Sequence, residues 1–364
     1  MTKVLVIDDS ALMRKALRQA LEGERGLEVR TARNGHDGLD QIADFDPTVI
    51  TLDINMPVMD GLTCLSRIMV ETPRPVIMVS SLTEKGALAT LEAMELGAVD
   101  YICKPGGTVS LNIADIFPDL IAKVKAAAGA RLRRRRTITK QKGSTLKHNV
   151  DENRDVVGRR LKTRASIASG AVLIGVSTGG PRTLEEILPA LPASFPHPVL
   201  VCQHMPRSFT GAYAKRLNQY CALEVVEVSR ATPIQVGCVY IGRGDSDLLI
   251  SRRGGKLVAI SAPSSEEHLW HPSVERMVQS AMQHYPPERL IAVQLTGMGN
   301  DGVKAMTELN KLGGYTIAES EKTAVVFGMP KELIKSGGAS VELPSYKVAD
   351  HLVSLGAKAG KKDQ

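Results

Sequence analysis

Gly175-Val176-Ser177-Thr178-Gly179-Gly180-Pro181 decides how this chain is read. The apolar run Ala171 to Val176 leads into it, and a helical pattern starts directly after it. A buried strand therefore delivers a serine into a glycine-lined turn before a helix, which sets a hydroxyl at the tip of a sharp bend. The glycines reach backbone angles closed to other residues and let a substrate come close. The G-x-S-x-G spacing fits a nucleophile. Glycines ahead of a helix also suit an anion, and a plain turn has the same composition, so the seven residues alone leave all three open. The dinucleotide fingerprint is not met, because Ser177 stands where its second glycine belongs.

Outward from this turn the pattern repeats. Strand-like runs are expected at Val199–Gln203, Leu223–Val228, Val239–Gly242, Asp247–Ser251, Lys256–Ile260, Leu290–Thr296 and Tyr315–Ala318. Helical periodicity falls near Thr183–Leu191, Phe209–Gln219, Ser273–His284, Val303–Leu312 and Lys347–Leu355. This predicts a doubly wound α/β domain over residues 169–357 with a short tail, 358–364, and a β-rich insert between Leu223 and Ser261. Residues 1–125 alternate as well. Five strand-like runs (Lys3–Asp8, Leu27–Ala32, Pro47–Asp53, Pro75–Ser81, Asp100–Lys104) alternate with helical patterns, the last from about Asn112 to Ala128. Five βα units imply a second, mainly parallel sheet covered on both faces.

The connection over residues 126–168 reads differently. From Ala122 to Ala168 there are 15 Lys/Arg against 3 Asp/Glu, a local +12 that leaves about −5 for the rest of the chain. The run Arg131–Arg136 concentrates the effect. A solvated, self-repelling linker fits it, and so does a patch for an anionic partner. Aromatic content of 4% argues against stacking platforms for single-stranded nucleic acid. Five cysteines without paired spacing fit a reducing compartment. Met1 to Leu5 enter a strand at once, so no signal peptide is expected. No apolar run reaches the roughly 20 residues of a membrane helix. Together these point to a cytoplasmic protein with no membrane insertion.

In parallel sheets ligands gather at the carboxyl ends of the strands. In the first lobe Asp8, Asp9, Asp53, Ser80 and Lys104 all fall at that edge. Crowded carboxylates raise one another's pKa unless a cation joins them, and hard oxygen ligands suit Mg²⁺. Lys104 would pair with a phosphorylated carboxylate as a point charge. The motifs Val6-Ile7-Asp8-Asp9-Ser10, Leu52 to Gly61, Val79-Ser80-Ser81 and Asp100 to Pro105 resemble the response-regulator receiver family. The resemblance implies phosphoryl transfer from a histidine kinase to Asp53. It implies Mg²⁺ held by Asp8, Asp9, Asp53 and the Asn55 carbonyl, with Ser80, Tyr101 and Lys104 as the switch. Read from the residues alone, Tyr101 is a strand-end aromatic.

In the second lobe Ser177 needs a base and a group to orient that base. His204 follows the apolar strand Val199–Gln203, whereas His197 and His351 read as loop or helix-surface residues. His268 and His271 bracket Trp270 without further metal ligands, and His284 ends a helix. Asp301 sits in the glycine-rich turn Gly297-Met298-Gly299-Asn300-Asp301-Gly302 after another apolar strand. It could cap the helix that follows, and it could equally orient His204. Ser177, His204 and Asp301 meet the triad roles, in a chain order unlike those of α/β-hydrolases, chymotrypsin or subtilisin.

The glycine turn, Gln203-His204-Met205-Pro206, Ser208-Phe209-Thr210, Pro272-Ser273-Val274, Leu295 to Gly302 and Phe327-Gly328-Met329-Pro330 resemble the catalytic domain of the chemotaxis protein-glutamate methylesterase (CheB) family. A receiver followed by this domain is that family's architecture. The resemblance implies the triad Ser177, His204 and Asp301, an oxyanion donor at the Met298 N–H, and Thr178 lining the site. It also implies demethylation and deamidation of methyl-accepting chemoreceptors, no cofactor in the catalytic domain, and a receiver that packs over the active-site face. The stretch Tyr240 to Asp247 departs from the family's usual turn, and the linker exceeds a minimal hinge. These departures bear on receptor contacts and regulation, and neither is expected to touch the triad. Two other classes fit parts of the sequence: a signalling or nucleic-acid-binding regulator without hydrolase activity, and a nucleotide-binding domain using the Gly179-Gly180 turn.

Overall fold

A computed structural model describes residues 1–104, 113–130 and 170–362. Pro105, the run Arg131–Arg136 and nearly all of the connection lie outside the described residues. The first lobe runs β1 (Thr2–Ile7), α1 (Ala11–Glu22), β2 (Leu27–Ala32), α2 (Gly35–Phe45), β3 (Val49–Asp53), α3 (Gly61–Glu71), β4 (Val76–Ser81), α4 (Glu84–Leu96), β5 (Asp100–Lys104) and α5 (Phe117–Ala128). Its five strands are parallel in the order β2-β1-β3-β4-β5. The helix starts are written in the sequence. Ser10, Asn34, Asp60 and Thr83 each accept a backbone N–H three residues on, satisfying donors the helix cannot pair itself. In α1, Met13, Leu17 and Leu21 recur every four residues and are buried. Each such side chain contributes about 1.5–3 kcal/mol on leaving water.

The second lobe holds β6 (Ala171–Val176), α6 (Gly180–Ile187), β7 (Val199–Gln203), α7 (Arg207–Tyr220), β8 (Glu224–Val228), β9 (Thr232–Pro233), β10 (Cys238–Gly242), β11 (Ser246–Arg253) and β12 (Lys256–Pro263). It continues through α8 (Val274–Met282), β13 (Leu290–Gln294), α9 (Val303–Lys311), β14 (Tyr315–Glu319), α10 (Met329–Lys335), β15 (Val341–Leu343) and α11 (Ser345–Lys362). Seven parallel strands form one sheet in the order β15-β14-β13-β6-β7-β10-β8. Strand β6 is buried throughout and lies between β13 and β7. The chain leaves it in one direction toward β7 and returns on the other side at β13. That reversal opens a crevice at the carboxyl ends.

Two expectations are corrected. The β-rich insert is smaller than the segment Leu223 to Ser261, because β8 and β10 belong to the main parallel sheet. Only β9, β11 and β12 form the separate antiparallel sheet. Alternation alone does not reveal which sheet a strand joins. The terminal helix also runs to Lys362, through most of what reads as a tail. Short elements with little periodicity, β9, β15 and α10, were not legible.

The two lobes share an apolar contact. Tyr101 at the end of the first sheet stacks on Phe209 of α7, with ring centroids 4.8 Å apart and planes 7° apart. Arg216 of α7 pairs with Glu95 of α4 at 2.6 Å and with Glu185 of α6 at 2.9 Å. Close backbone approach shapes the first lobe as well. A Cβ at Gly61 would lie 2.1 Å from the Asp53 carbonyl oxygen. Gly61→Ala is therefore expected to destabilise the first lobe by about 1–3 kcal/mol, read as an earlier urea transition of that lobe.

Candidate active site

Three loops at the carboxyl edge of the second sheet bring Ser177, His204 and Asp301 toward one crevice. Ser177 follows β6, His204 follows β7, and Asp301 lies in the loop after β13. Gly179 has φ +77°, and a Cβ there would meet Val325 at 2.5 Å, so only glycine fits this turn. Strand-end glutamines tie the loops down. Gln203 donates to the carbonyls of Ser177 at 3.0 Å and His204 at 3.1 Å, and Gln294 donates to the Asp301 carbonyl at 3.0 Å. Thr296 cross-links the turns: its carbonyl accepts the Ser177 N–H at 2.9 Å, and its hydroxyl donates to the Thr178 carbonyl at 2.8 Å.

His204 Nε2 lies 2.9 Å from Asp301 Oδ2. An ionised carboxylate only accepts, so Nε2 carries the proton and Nδ1 is left with a lone pair. Among the described residues, the buried Nδ1 has no hydrogen-bond partner. Asp301 does not cap its own helix: Gly302, in the left-handed region, occupies that position without a side-chain cap. Instead the carboxylate seats on the N-terminus of α8. It accepts Val274 N at 2.7 Å, Glu275 N at 3.0 Å and the Ser273 hydroxyl at 3.1 Å. Burial pushes the Asp301 carboxyl up, but the His204 hydrogen bond and charge and the two backbone donors hold it below the usual carboxylate value. The Trp270 ring lies parallel to the His204 imidazole, with centroids 5.8 Å apart.

Ser177, Thr178, His204, Trp270, His271 and Met298 line one cavity of about 350 Å³. The Met298 turn is held by its neighbours. Gly297 donates to Val326 and accepts from Gly328 and Met329, which accounts for the Phe327-Gly328-Met329-Pro330 motif. The first lobe supplies the opposite wall, including Asp100, Tyr101 and Lys123. The Thr178 hydroxyl donates to Asp100 Oδ2 at 2.5 Å across the interface. Lys123 stands 3.6 Å from Asp100 and 3.1 Å from Asp119. The crevice is therefore covered by the first lobe. Tyr101, read from the residues as a strand-end aromatic, is buried in this contact.

The first lobe gathers its own cluster. Ligand oxygens of Asp8, Asp9 and Asp53 all lie within 4.8 Å of one another. Lys104 reaches Asp8 at 3.1 Å and Asp53 at 2.9 Å. Burial pushes the Asp53 carboxyl up to about 6 against the pull of the Lys104 ammonium. Three crowded carboxylates, one of them exposed, fit a hard divalent cation such as Mg²⁺. Asn55 is exposed beside them. Ser80 stands apart in its bonding, with its hydroxyl donating to the Gly86 carbonyl at 3.2 Å.

Sequence reasoning missed Asp100, Trp270, Ser273 and Asp247 as parts of the second site. Ser273 stood in a quoted motif, and Trp270 lay between two noted histidines. Asp100 belongs to a motif of the first lobe and Asp247 to the stretch Tyr240 to Asp247, and neither signalled a role in the second site, because those roles arise from contacts distant in sequence. His197 lies in a loop, buried against Phe195. The seat of Asp301 has a pH signature. Its pKa is depressed in the fold, so it stabilises the fold fully above its unfolded value near pH 4. That contribution is lost as pH falls through the lower folded value. Urea titrations should show Asp301→Asn less stable than the parent at neutral pH, with the gap closing in acid.

Residues 172–352 match the CheB methylesterase family, and residues 4–114 match the response regulator receiver domain. Protein-glutamate methylesterase/protein-glutamine glutaminase 3 of Rhodospirillum rubrum is 53% identical over 97% of this chain and 95% of its own length. Protein-glutamate methylesterase/protein-glutamine glutaminase 2 of Rhodopseudomonas palustris is 51% identical over 98% of both chains. The crystal structure of the Thermotoga maritima CheB methylesterase catalytic domain aligns with 52% of this chain and all of its own, at 41% identity and a TM-score of 0.50. The chain belongs to the CheB methylesterase family, with a response-regulator receiver domain preceding the catalytic domain.

Proposed function

We propose that this protein is a serine hydrolase that removes methyl esters from glutamyl side chains, and the amide from selected glutamines, on chemoreceptor-type proteins. The relatives' names support the reaction class. The observation that carries the assignment is the His204 imidazole. Asp301 holds Nε2, and the buried Nδ1 lone pair is unpartnered in the cavity that Ser177 also lines. Nδ1 takes the Ser177 proton as the hydroxyl oxygen attacks the ester carbonyl. The usual serine-protease arrangement is inverted here, with the ε nitrogen facing the carboxylate. Asp301 stabilises the imidazolium. In this reading the N–H groups of Met298 and Thr178, which make no hydrogen bond among the described residues, receive the oxyanion. Losing one such donor typically costs about 10²–10³ in rate.

The imidazolium returns its proton to the departing methoxide, and methanol leaves. Water then attacks the acyl-enzyme with Nδ1 again as base, releasing the glutamate and restoring Ser177. With a glutamine substrate the leaving group is ammonia and the remaining steps are the same. Each reaction adds a negative charge to the target.

The receiver is the regulator in this reading. Asp53 accepts a phosphoryl group from a histidine kinase. Asp8, Asp9, Asp53 and the Asn55 carbonyl would hold Mg²⁺, which when bound neutralises charge on the transferring group. Lys104 pairs with the product, and Ser80 and Tyr101 respond to it. Tyr101 stacks on Phe209 and Asp100 holds the Thr178 hydroxyl, so a change at the receiver edge acts directly on the cover over the crevice. About 2.7 kcal/mol of differential stability suffices for a hundredfold change in the open population.

Ser177→Ala should abolish methanol release from a methyl-labelled receptor, and retained turnover would remove the assignment. Asp100→Ala in the full chain should raise the unphosphorylated rate severalfold and reduce further activation by a small-molecule phosphodonor. An unchanged basal rate would show that this contact does not hold the crevice closed.

A further inference from the structure

We infer that Asp247 is a positioning residue for the Asp301–His204 pair, acting through the segment His271–Ser273. The inference rests on the proposed triad. Asp247 is the second residue of β11 and ends the stretch that departs from the family's usual turn. It is fully buried, a position where a carboxylate persists only with several partners. Its partners all lie on one short segment and the helix that follows. Asp247 Oδ1 accepts the Ser273 N–H at 2.7 Å and lies 3.0 Å from His271 Nδ1, and Oδ2 pairs with the Arg276 guanidinium.

The same segment seats Asp301. Ser273, whose N–H Asp247 holds, donates its hydroxyl to Asp301 Oδ1 at 3.1 Å, and the next two N–H groups, Val274 and Glu275, complete the seat. Two buried carboxylates therefore hold the start of α8 through one serine, Asp247 by its N–H and Asp301 by its hydroxyl. Asp247 fixes where the helix begins, the helix start fixes Asp301, and Asp301 fixes the ring of His204. Trp270 and His271, between Asp247's anchor and the cavity, line the same space as Ser177. Asp247 does not itself line that space, so it acts through the residues it holds and not by touching substrate.

The test compares Asp247→Asn and Asp247→Leu in the full chain, with Ser177→Ala as reference. Asparagine keeps an acceptor for the Ser273 N–H, and leucine keeps only volume. Small misplacement of a catalytic group costs up to about 10²-fold. We expect kcat to fall about tenfold in Asp247→Asn and further in Asp247→Leu, with KM within about twofold of the parent. The downfield proton resonance of the His204–Asp301 hydrogen bond should shift or broaden in both, while circular dichroism stays native. Should Asp247→Leu fail to fold, Asp247→Asn carries the test alone. Unchanged kcat, or a fall in kcat with that resonance unmoved, overturns the positioning role while an inactive Ser177→Ala leaves the triad standing. Turnover retained in Ser177→Ala overturns both.

Discussion

The second lobe is organised around a buried negative charge at the start of a helix. Asp301 leaves water, and its charge is tolerable only because an imidazole, a hydroxyl and two backbone N–H groups surround it. The helix N-terminus adds a favourable dipole. This one carboxylate ties the β13 loop, the α8 start and the β7 loop together. Without it the imidazole would lose its tautomer and its orientation, and the β7 and β13 loops would lose their shared tie to the start of α8. The glutamines that end β7 and β13 serve the same purpose one layer below.

The interface between the lobes uses different physics. Its centre is apolar, with Tyr101 against Phe209, and its edges are charged, with Arg216 between Glu95 and Glu185. An apolar centre gives adhesion. The polar contact between Thr178 and Asp100 adds register, because a buried hydroxyl and carboxylate must find one another to offset their desolvation. That contact reaches the residue next to the proposed nucleophile. Cover and proposed chemistry therefore meet at adjacent positions in the chain.

Much of the site was legible as residue types at strand ends. Ser177, His204 and Asp301 each follow an apolar run, and the crevice of an α/β sheet lies where such runs stop. The receiver carboxylates were legible for the same reason. The role of Asp301 was only half visible: orienting His204 and capping the following helix were both open, and the helix whose N–H groups it accepts is the one that precedes it in the chain. The role of Asp247 was not legible, since this strand residue acts on a segment 26 positions away. The insert was overestimated because alternation marks a strand without naming its sheet.

The amino-acid order alone determined two α/β lobes, a basic connection and three chemistry-bearing loops, since periodicity, caps and glycine turns are local properties of the chain. Only the tertiary structure decided which nitrogen of His204 faces Asp301, which helix that carboxylate seats on, and that the first lobe lies across the crevice. Those outcomes depend on long-range packing of buried polar groups, whose partners are chosen by the need to satisfy charge away from water.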